Sequence, residues 1–422
     1  MGLGSGKTSD APQPVTRAEA VAIALARGVS AAVGRADTAA ARAQLVTARA
    51  LPNPTLTASA TKSAPQLHAT LDVPLDLPYY RNLRVGSARA SFEATRLQFA
   101  YTRATVRYDV EVAYGQALAA AERARLSRES ARDADSLLVL ARAQRDAGDA
   151  SDLDANLAAI NAGQQANVAA ADSLAALAGV LDLQALLGLP SDRPTITLAE
   201  SLPALIASAA EAERALGSPN APNVTSAGVR RGDVGLTTGQ PSVAAATPLP
   251  VAAAAATYVS QDLALGLARR RNALVPSFQV GVEGRDPTGG PQGVLPVVGV
   301  SIPLPLFNRL QGDIALAAAN RARAQALLDA ARRTVEGAIA RARRELVSSE
   351  ARLARDAALL TTARDVAAKT LTGYREGASA LPAVLQAQRA VRDAFAQYVT
   401  DAVAAANAAA AVRLATATSA TP

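Results

Sequence analysis

Apolar residues follow two rhythms along this chain. In Thr55-Leu56-Thr57-Ala58-Ser59-Ala60-Thr61 and in Leu67-His68-Ala69-Thr70-Leu71-Asp72-Val73 they alternate with polar ones. That predicts a β-hairpin with its turn at Lys62–Gln66. The alternation returns in Phe278, Val280 and Val282 against Gln279, Gly281 and Glu283, and in Val298, Val300 and Ile302 against Gly299 and Ser301. The loop of this second hairpin is Arg285–Gly293. After each hairpin comes a proline-free stretch, 86–147 and 312–374, dominated by Ala, Leu, Arg and Gln. All four are strong helix formers, so two long helices are predicted. At 1.5 Å per residue the first is on the order of 90 Å long.

Both long helices stop at a glycine and turn back. Gly148 breaks the first, Ser151 caps a returning helix over 152–187, and Gly188-Leu189-Pro190 ends it. Arg375-Glu376-Gly377-Ala378-Ser379 is the matching turn, followed by a last helix over 381–414. Upstream, Thr16 with Glu19 is a capping box that opens a helix reaching about Arg49. Gly28 and Gly34 weaken its middle, and Leu51-Pro52-Asn53-Pro54 terminates it. A further helix from about Val251 ends in the same way at Val275-Pro276.

The chain is thus one unit written twice. Pro74 and Pro303 are 229 positions apart (303 − 74), and so are Gly148 and Gly377 (377 − 148). Landmarks that keep one offset through different elements indicate an internal repeat. The expected organisation is a disordered lead (1–15), a first repeat (16–190, hairpin 55–73), a linker region (191–250), a second repeat (251–415, hairpin 277–302) and a tail (416–422). Within the linker, Thr195–Leu198 reads as a short strand and Leu202–Leu216 as a short helix, while Ser218–Pro250 is rich in Gly, Pro, Ser and Thr.

Composition narrows the class. Half of the residues are hydrophobic, yet aromatics make up only 3%, and alanine alone supplies about half of that half. Alanine buries little area but lets helices approach closely. Without cysteine there is no disulfide, and one His leaves no conventional soft-metal site. The net charge of +7 is almost all arginine, spread along every helix and interleaved with Asp and Glu, which speaks against a nucleic-acid patch. No uninterrupted run of 18 or more apolar residues occurs, so no transmembrane helix is expected. The first ten residues hold no apolar core of a signal peptide, so an exported protein would begin here in a trimmed form.

Four strands with one apolar face cannot seal themselves in lipid, where every backbone polar group must be satisfied. Closed membrane barrels need about eight strands or more, so several copies must pool theirs. Twelve strands from three copies leave a pore, whereas eight leave only a filled interior. The small polar residues on the other face (Thr, Ser, Gly) suit an open lumen, with His68 on that face. Tyr79, Tyr80 and Phe307, three of thirteen aromatics, follow the strand ends where an interfacial girdle would lie. Packing against the helix tops is the alternative for all three.

Leu51–Pro54, Val73-Pro74-Leu75, Ile302–Arg309 with Gln311-Gly312, and the two glycine turns form an ordered set. In this set the chain resembles the TolC family of outer-membrane efflux ducts over about 16–190 and 251–415. The Pro303–Asn308 run resembles the heavy-metal branch typified by CzcC. The resemblance implies a mainly α, internally duplicated protomer. Its long antiparallel helical hairpins and four strands contribute to a twelve-stranded trimeric transmembrane β-barrel. It also implies a bacterial outer-membrane location with a periplasmic helical domain, and a homotrimer joined to a periplasmic adaptor and an inner-membrane transporter. Such a duct is a passive exit for metal cations or drugs, with no cofactor, no catalysis and no nucleic acid. The stretch 217–250 is longer and less helical than the family pattern.

By the same resemblance the two glycine turns form the periplasmic tip, where the adaptor docks and the aperture is gated. The candidate residues are Arg145, Asp146, Gly148, Asp149, Ser151, Asp152, Asp154, Arg375, Glu376, Gly377 and Ser379. Three-fold symmetry would multiply the aspartates into acidic rings that attract cations; helix capping explains them equally. Arg145 and Arg375, taken as matched positions of the two turns, are expected to pair with tip acids and hold the aperture shut.

No His, Cys or Ser constellation, phosphate loop or metal-ligand spacing suggests an enzyme. A periplasmic adaptor would carry one helical hairpin rather than a duplicated unit. The remaining rival is a soluble Arg-rich helical scaffold that binds acidic membranes or partner helices. If the acidic rings exist, Asp149→Ala combined with Asp152→Ala changes cation selectivity in bilayer conductance; unchanged selectivity removes them.

Overall fold

The computed structural model describes residues 12–62, 66–148, 150–207, 247–271, 276–284, 294–302 and 309–418. The elements in order are β1 (Gln13–Val15), α1 (Arg17–Arg27), α2 (Val29–Arg49), β2 (Thr55–Ala60), β3 (Leu67–Pro74), α3 (Pro78–Ala147) and α4 (Asp152–Leu186). Then follow β4 (Ile196–Leu198), α5 (Leu249–Arg271), β5 (Ser277–Gly284), β6 (Val294–Ser301), α6 (Gln311–Arg375) and α7 (Leu381–Thr416). Two compact units result, and neither is a repeat: the first takes residues 1–33, 101–246 and 336–422, the second 34–100 and 247–335. The segments 1–11 and 208–246, the hairpin loop 285–293 and the run 303–308 lie outside the described residues.

The first unit is a helical body with a small β element. Alanine dominates one of its seams, where Ala342 and Leu346 of α6 meet Ala405, Ala408, Ala409 and Val412 of α7. Small residues let backbones come close, and α4 shows how close. A Cβ on Gly179 would stand 3.2 Å from the Ala117 Cα of α3. Where alanine gives little shape to read, buried polar side chains fix the arrangement. Tyr114 of α3, fully buried, donates its hydroxyl to Val15 O (3.0 Å) and accepts from the Glu200 amide (3.2 Å). Gln184, with no exposed surface, donates to Pro190 O and Arg193 O and accepts from the amides of Thr195 and Ile196. Glu111 is held between Arg413 and Arg107. Burial pushes its carboxyl up, but the two guanidinium groups outweigh this and leave it below the usual range.

The second unit contains the β-sheet, in the order β2-β3-β5-β6 with every pair antiparallel. The strands of different repeats therefore meet in the middle, at β3 and β5. Asp76, nearly buried after β3, pairs with Arg84 at 2.8 Å and Arg81 at 3.6 Å. The same arginines donate to the last carbonyls of α2, at Ala48, Arg49 and Ala50. One acid thus ties the strand end to two helix ends.

Several expectations change. Residues 13–15 are not a disordered lead: β1 pairs in parallel with β4, and Val15 is buried. The first helix is broken at Gly28, whose extended backbone (ψ 143°) separates α1 from α2, while Gly34 stays helical with the Phe99 ring against it. α3 begins at Pro78 rather than Gly86, because proline at the first helical position is already set at a helical φ. Tyr79 and Tyr80 therefore sit in its first turn, with Arg84 5.9 Å above the Tyr80 ring centre. Helix is present at 202–207; the rest of the stretch to Leu216 lies outside the described residues. Finally, α4 and Leu249–Arg270 are long and apolar enough to cross a membrane by length and composition. An unbroken-run criterion misses them because scattered Asn, Gln and Asp interrupt the alanines without lowering the average much.

Gln184→Leu takes a partner from two carbonyls and two amides, and the Ile196 amide among them is buried. It should lower unfolding stability by about 3 kcal/mol, measured by urea denaturation in detergent.

Candidate functional site

Two features of the fold stand out, one in each unit. In the first unit the glycine turns end α3 and α6 at positive φ, +88° at Gly148 and +75° at Gly377. Gly148 donates to Arg145 O (2.9 Å) and Gly377 to Tyr374 O (3.1 Å), and the Ala378 amide closes a Schellman turn on Gly373 O (2.7 Å). Ser151 then caps α4 in a full capping box, with Asp154 Oδ2 accepting from the Ser151 hydroxyl at 2.8 Å. The second turn has no side-chain cap. Ala380 stands at that position and Pro382 follows in the first turn of α7.

One hydrophobic cluster draws on all four helices beside these turns. It takes Leu137 and Ala141 from α3, Ala158 from α4, Tyr374 from α6, and Leu381, Val384 and Leu385 from α7. The Tyr374 hydroxyl is buried there with no hydrogen-bond partner among the described residues. Burial pushes its pKa up, and the nearby charge of Asp154 adds to the rise. Tyr374 and Asp154 thus link the two turns.

The expected tip residues divide accordingly. Asp154 is engaged as a helix cap. Asp146 and Asp152, both exposed, flank Arg145, whose guanidinium lies 2.7 Å from Asp146 and 3.9 Å from Asp152. Hydrogen bonding to Asp146, and then its charge, raise the arginine pKa further. Arg375 and Glu376 are exposed, and among the described residues Arg375 forms no ion pair. Among the described residues Arg145 is thus the tip arginine that pairs with tip acids, and they belong to its own turn. The repeat offset also sets Arg145 opposite Tyr374 rather than Arg375 (374 − 145 = 229), as the matching turn hydrogen bonds show. Asp149 lies outside the described residues. Tyr374 was not among the sequence candidates, although its position opposite Arg145 in the repeat was there to find it.

In the second unit the sheet has two unlike faces. Leu56, Leu71, Val280 and Val298 stand in one row across all four strands, and Val73, Phe278 and Val300 form another. This face is bare: Leu56 is 70% exposed and Val298 69%. The opposite face carries Thr57 beside Thr70, Gln279 donating to Asp72 (3.4 Å), and His68 3.3 Å from Glu283. β3, β5 and β6, eight residues each, extend about 26 Å at ~3.3 Å per residue. Among the described residues the edges β2 and β6 have no further partner strand. Phe307, expected beside this sheet, lies outside the described residues, and Tyr79 is exposed. Among the described residues no group of three or more His, Cys, Asp or Glu side chains is placed to hold a metal ion.

No family model and no curated protein matches the sequence. Solved structures do. The outer membrane protein VceC of Vibrio cholerae superposes with a TM-score of 0.71 at 15% identity, over 95% of this chain and 96% of its own. The CmeC outer membrane channel of Campylobacter jejuni gives 0.73 at 15% identity, over 98% and 90%. The open-state MtrE outer membrane channel of Neisseria gonorrhoeae gives 0.69 at 13% identity, over 98% and 93%. This chain has the outer-membrane channel fold. It is the fold that the TolC-family resemblance implied, and coverage is near complete in both directions. The mainly helical chain with its four-stranded sheet therefore has the fold of those channels' protomers.

Within this channel fold the two turn glycines are replaceable in space but not in backbone. A Cβ at Gly148 or Gly377 meets nothing within 4 Å, so alanine pays only for its left-handed φ. Gly148→Ala and Gly377→Ala should each cost about 1–2 kcal/mol in chemical denaturation, with asparagine costing less.

Proposed function

We propose that this chain is the exit duct of a tripartite efflux pump in a bacterial outer membrane. Three copies pool their strands into a twelve-stranded barrel, and the helices form a periplasmic tunnel. The single observation that carries the reading is the four-stranded sheet with a bare apolar face and two open edges. Such a sheet suits a wall shared between copies: lipid covers the apolar face, and the edges pair with neighbouring protomers. The face with Thr57, Thr70, Asp72, Gln279 and Glu283 then lines the lumen. The channel fold, met in proteins described as outer-membrane channels, supports the same reading.

The turns at Gly148 and Gly377 are proposed as the periplasmic tip, with Asp146 and Asp152 facing a docking adaptor or the solute path. An inner-membrane transporter would select the cargo, whether metal cations or drugs. The heavy-metal branch is proposed from Pro303–Asn308 alone.

The test starts with extraction. The full chain should leave the membrane only in detergent, migrate as a trimer and conduct ions in a planar bilayer; a monomer that stays in aqueous buffer would sink the proposal. Val298→Arg places a charge on the lipid face and should weaken insertion by about 2–4 kcal/mol. Thr57→Arg, on the lumen face, should leave insertion intact and change conductance.

A further inference from the structure

On the seam between α6 and α7, one carboxyl group is fully provided for and its neighbour is not. Asp401 of α7 is buried. Its Oδ1 accepts from Arg352 Nε at 2.9 Å, and its Oδ2 accepts from Gln397 Nε2 at 2.8 Å. Asp356 stands one helical turn beyond Arg352, the residue that pairs with Asp401, and lies close enough for the Asp401 carboxyl to push its own pKa up. The Asp356 Oδ2 atom is shut off from solvent and has no donor among the described residues.

Two carboxylates cannot hydrogen-bond each other without a proton between them, and a buried ionised oxygen with no donor is costly. The surrounding charges do not remove that need. Arg352 is divided between Asp401 and Glu345, which it reaches at 3.0 Å. Arg355 acts on Asp356 only through its charge. From α3, Arg123 is taken by the Thr400 hydroxyl at 2.8 Å. We propose that Asp356 and Asp401 share one proton, and that this proton is a pH-sensitive latch between α6 and α7.

The proton sits on Asp356. Burial pushes that carboxyl above the ordinary range, and the hydrogen bond and charge of Asp401 push the same way, against Arg355 and Arg352. At Asp401 burial also pushes up, but the donors Gln397, Arg352 and Asp356 outweigh it and hold the carboxyl low. The contribution of Asp356 is whole in acid and is lost as the pH rises through its raised value. That of Asp401 is lost only as the pH falls through its lowered value. Between those two values the latch is closed. Above the upper one, two negative charges face each other across the seam and it loosens. This holds whether or not the chain is a conduit; in a conduit, the helix pair stiffens where the compartment turns acid.

Hydrogen exchange of the full-length protein in detergent tests the latch, read over 349–360 and 395–405 and corrected for the chemical exchange rate. Wild-type protection should fall with rising pH, by up to about tenfold per unit between the ordinary Asp range and the raised value of Asp356, and level off above it. In Asp356→Asn the amide donates permanently, so protection should stay level between about pH 5 and about pH 8. Asp356→Ala should be level as well, but weaker throughout. Parallel declines in wild type and Asp356→Asn, or a level wild-type profile, overturn the proposal. Should the variants not assemble, the infrared carbonyl band of a protonated carboxylic acid in the wild-type protein decides it: a band that persists above the ordinary Asp range and fades together with the protection supports the latch, and no band above that range refutes it.

Discussion

A sheet that is apolar on one face and unpaired at both edges is unfinished in any solvent. In water the bare rows from Leu56 to Val298 cost hydrophobic free energy, and in lipid the free amides and carbonyls of β2 and β6 cost more. Both demands are met when like sheets join edge to edge and close. On the proposed reading that requirement joins protomers into an assembly, and it bears on the register too. β2, β3 and β5 keep strict alternation, while β6 departs from it with Leu295 and Val297 on the face opposite Val298; a slip of one residue would exchange the two faces.

The helical unit meets a different problem. Alanine seams such as that of Ala342 with Ala405, Ala408 and Ala409 bring helices close but say little about which partner or register is right. Buried polar groups supply that information. Tyr114, Gln184 and Glu111 each have partners that only one arrangement satisfies, and any sliding of the helices would strand them. In this unit alanine brings the helices together, and a few hydrogen bonds decide where they stop.

Much of this was legible in the residues. The hairpins, the proline-free helices and the two glycine turns follow from local rules of period and backbone, and the constant 229-residue offset ties them into a repeat. What stayed hidden depends on distant partners. Gln13–Val15 is too short to announce itself and becomes a strand only beside Ile196–Leu198. Gly28 and Gly34 look alike in sequence, yet one breaks the helix and the other makes room for Phe99. Tyr374, Asp356 and Asp401 sit among ordinary helical neighbours, and only packing shows which of their polar atoms lose water. The tip acids could be listed from sequence, but not sorted into the one used as a cap and those left outside.

The near contact of Gly179 with Ala117 has a mechanical side. Two rods that touch so tightly at one station act as a lever about that station. From there α3 runs thirty residues to its end at Ala147, an arm on the order of 45 Å. A tilt of a few degrees at this fulcrum sweeps the far end through several ångströms, so displacement there needs no unwinding of either helix.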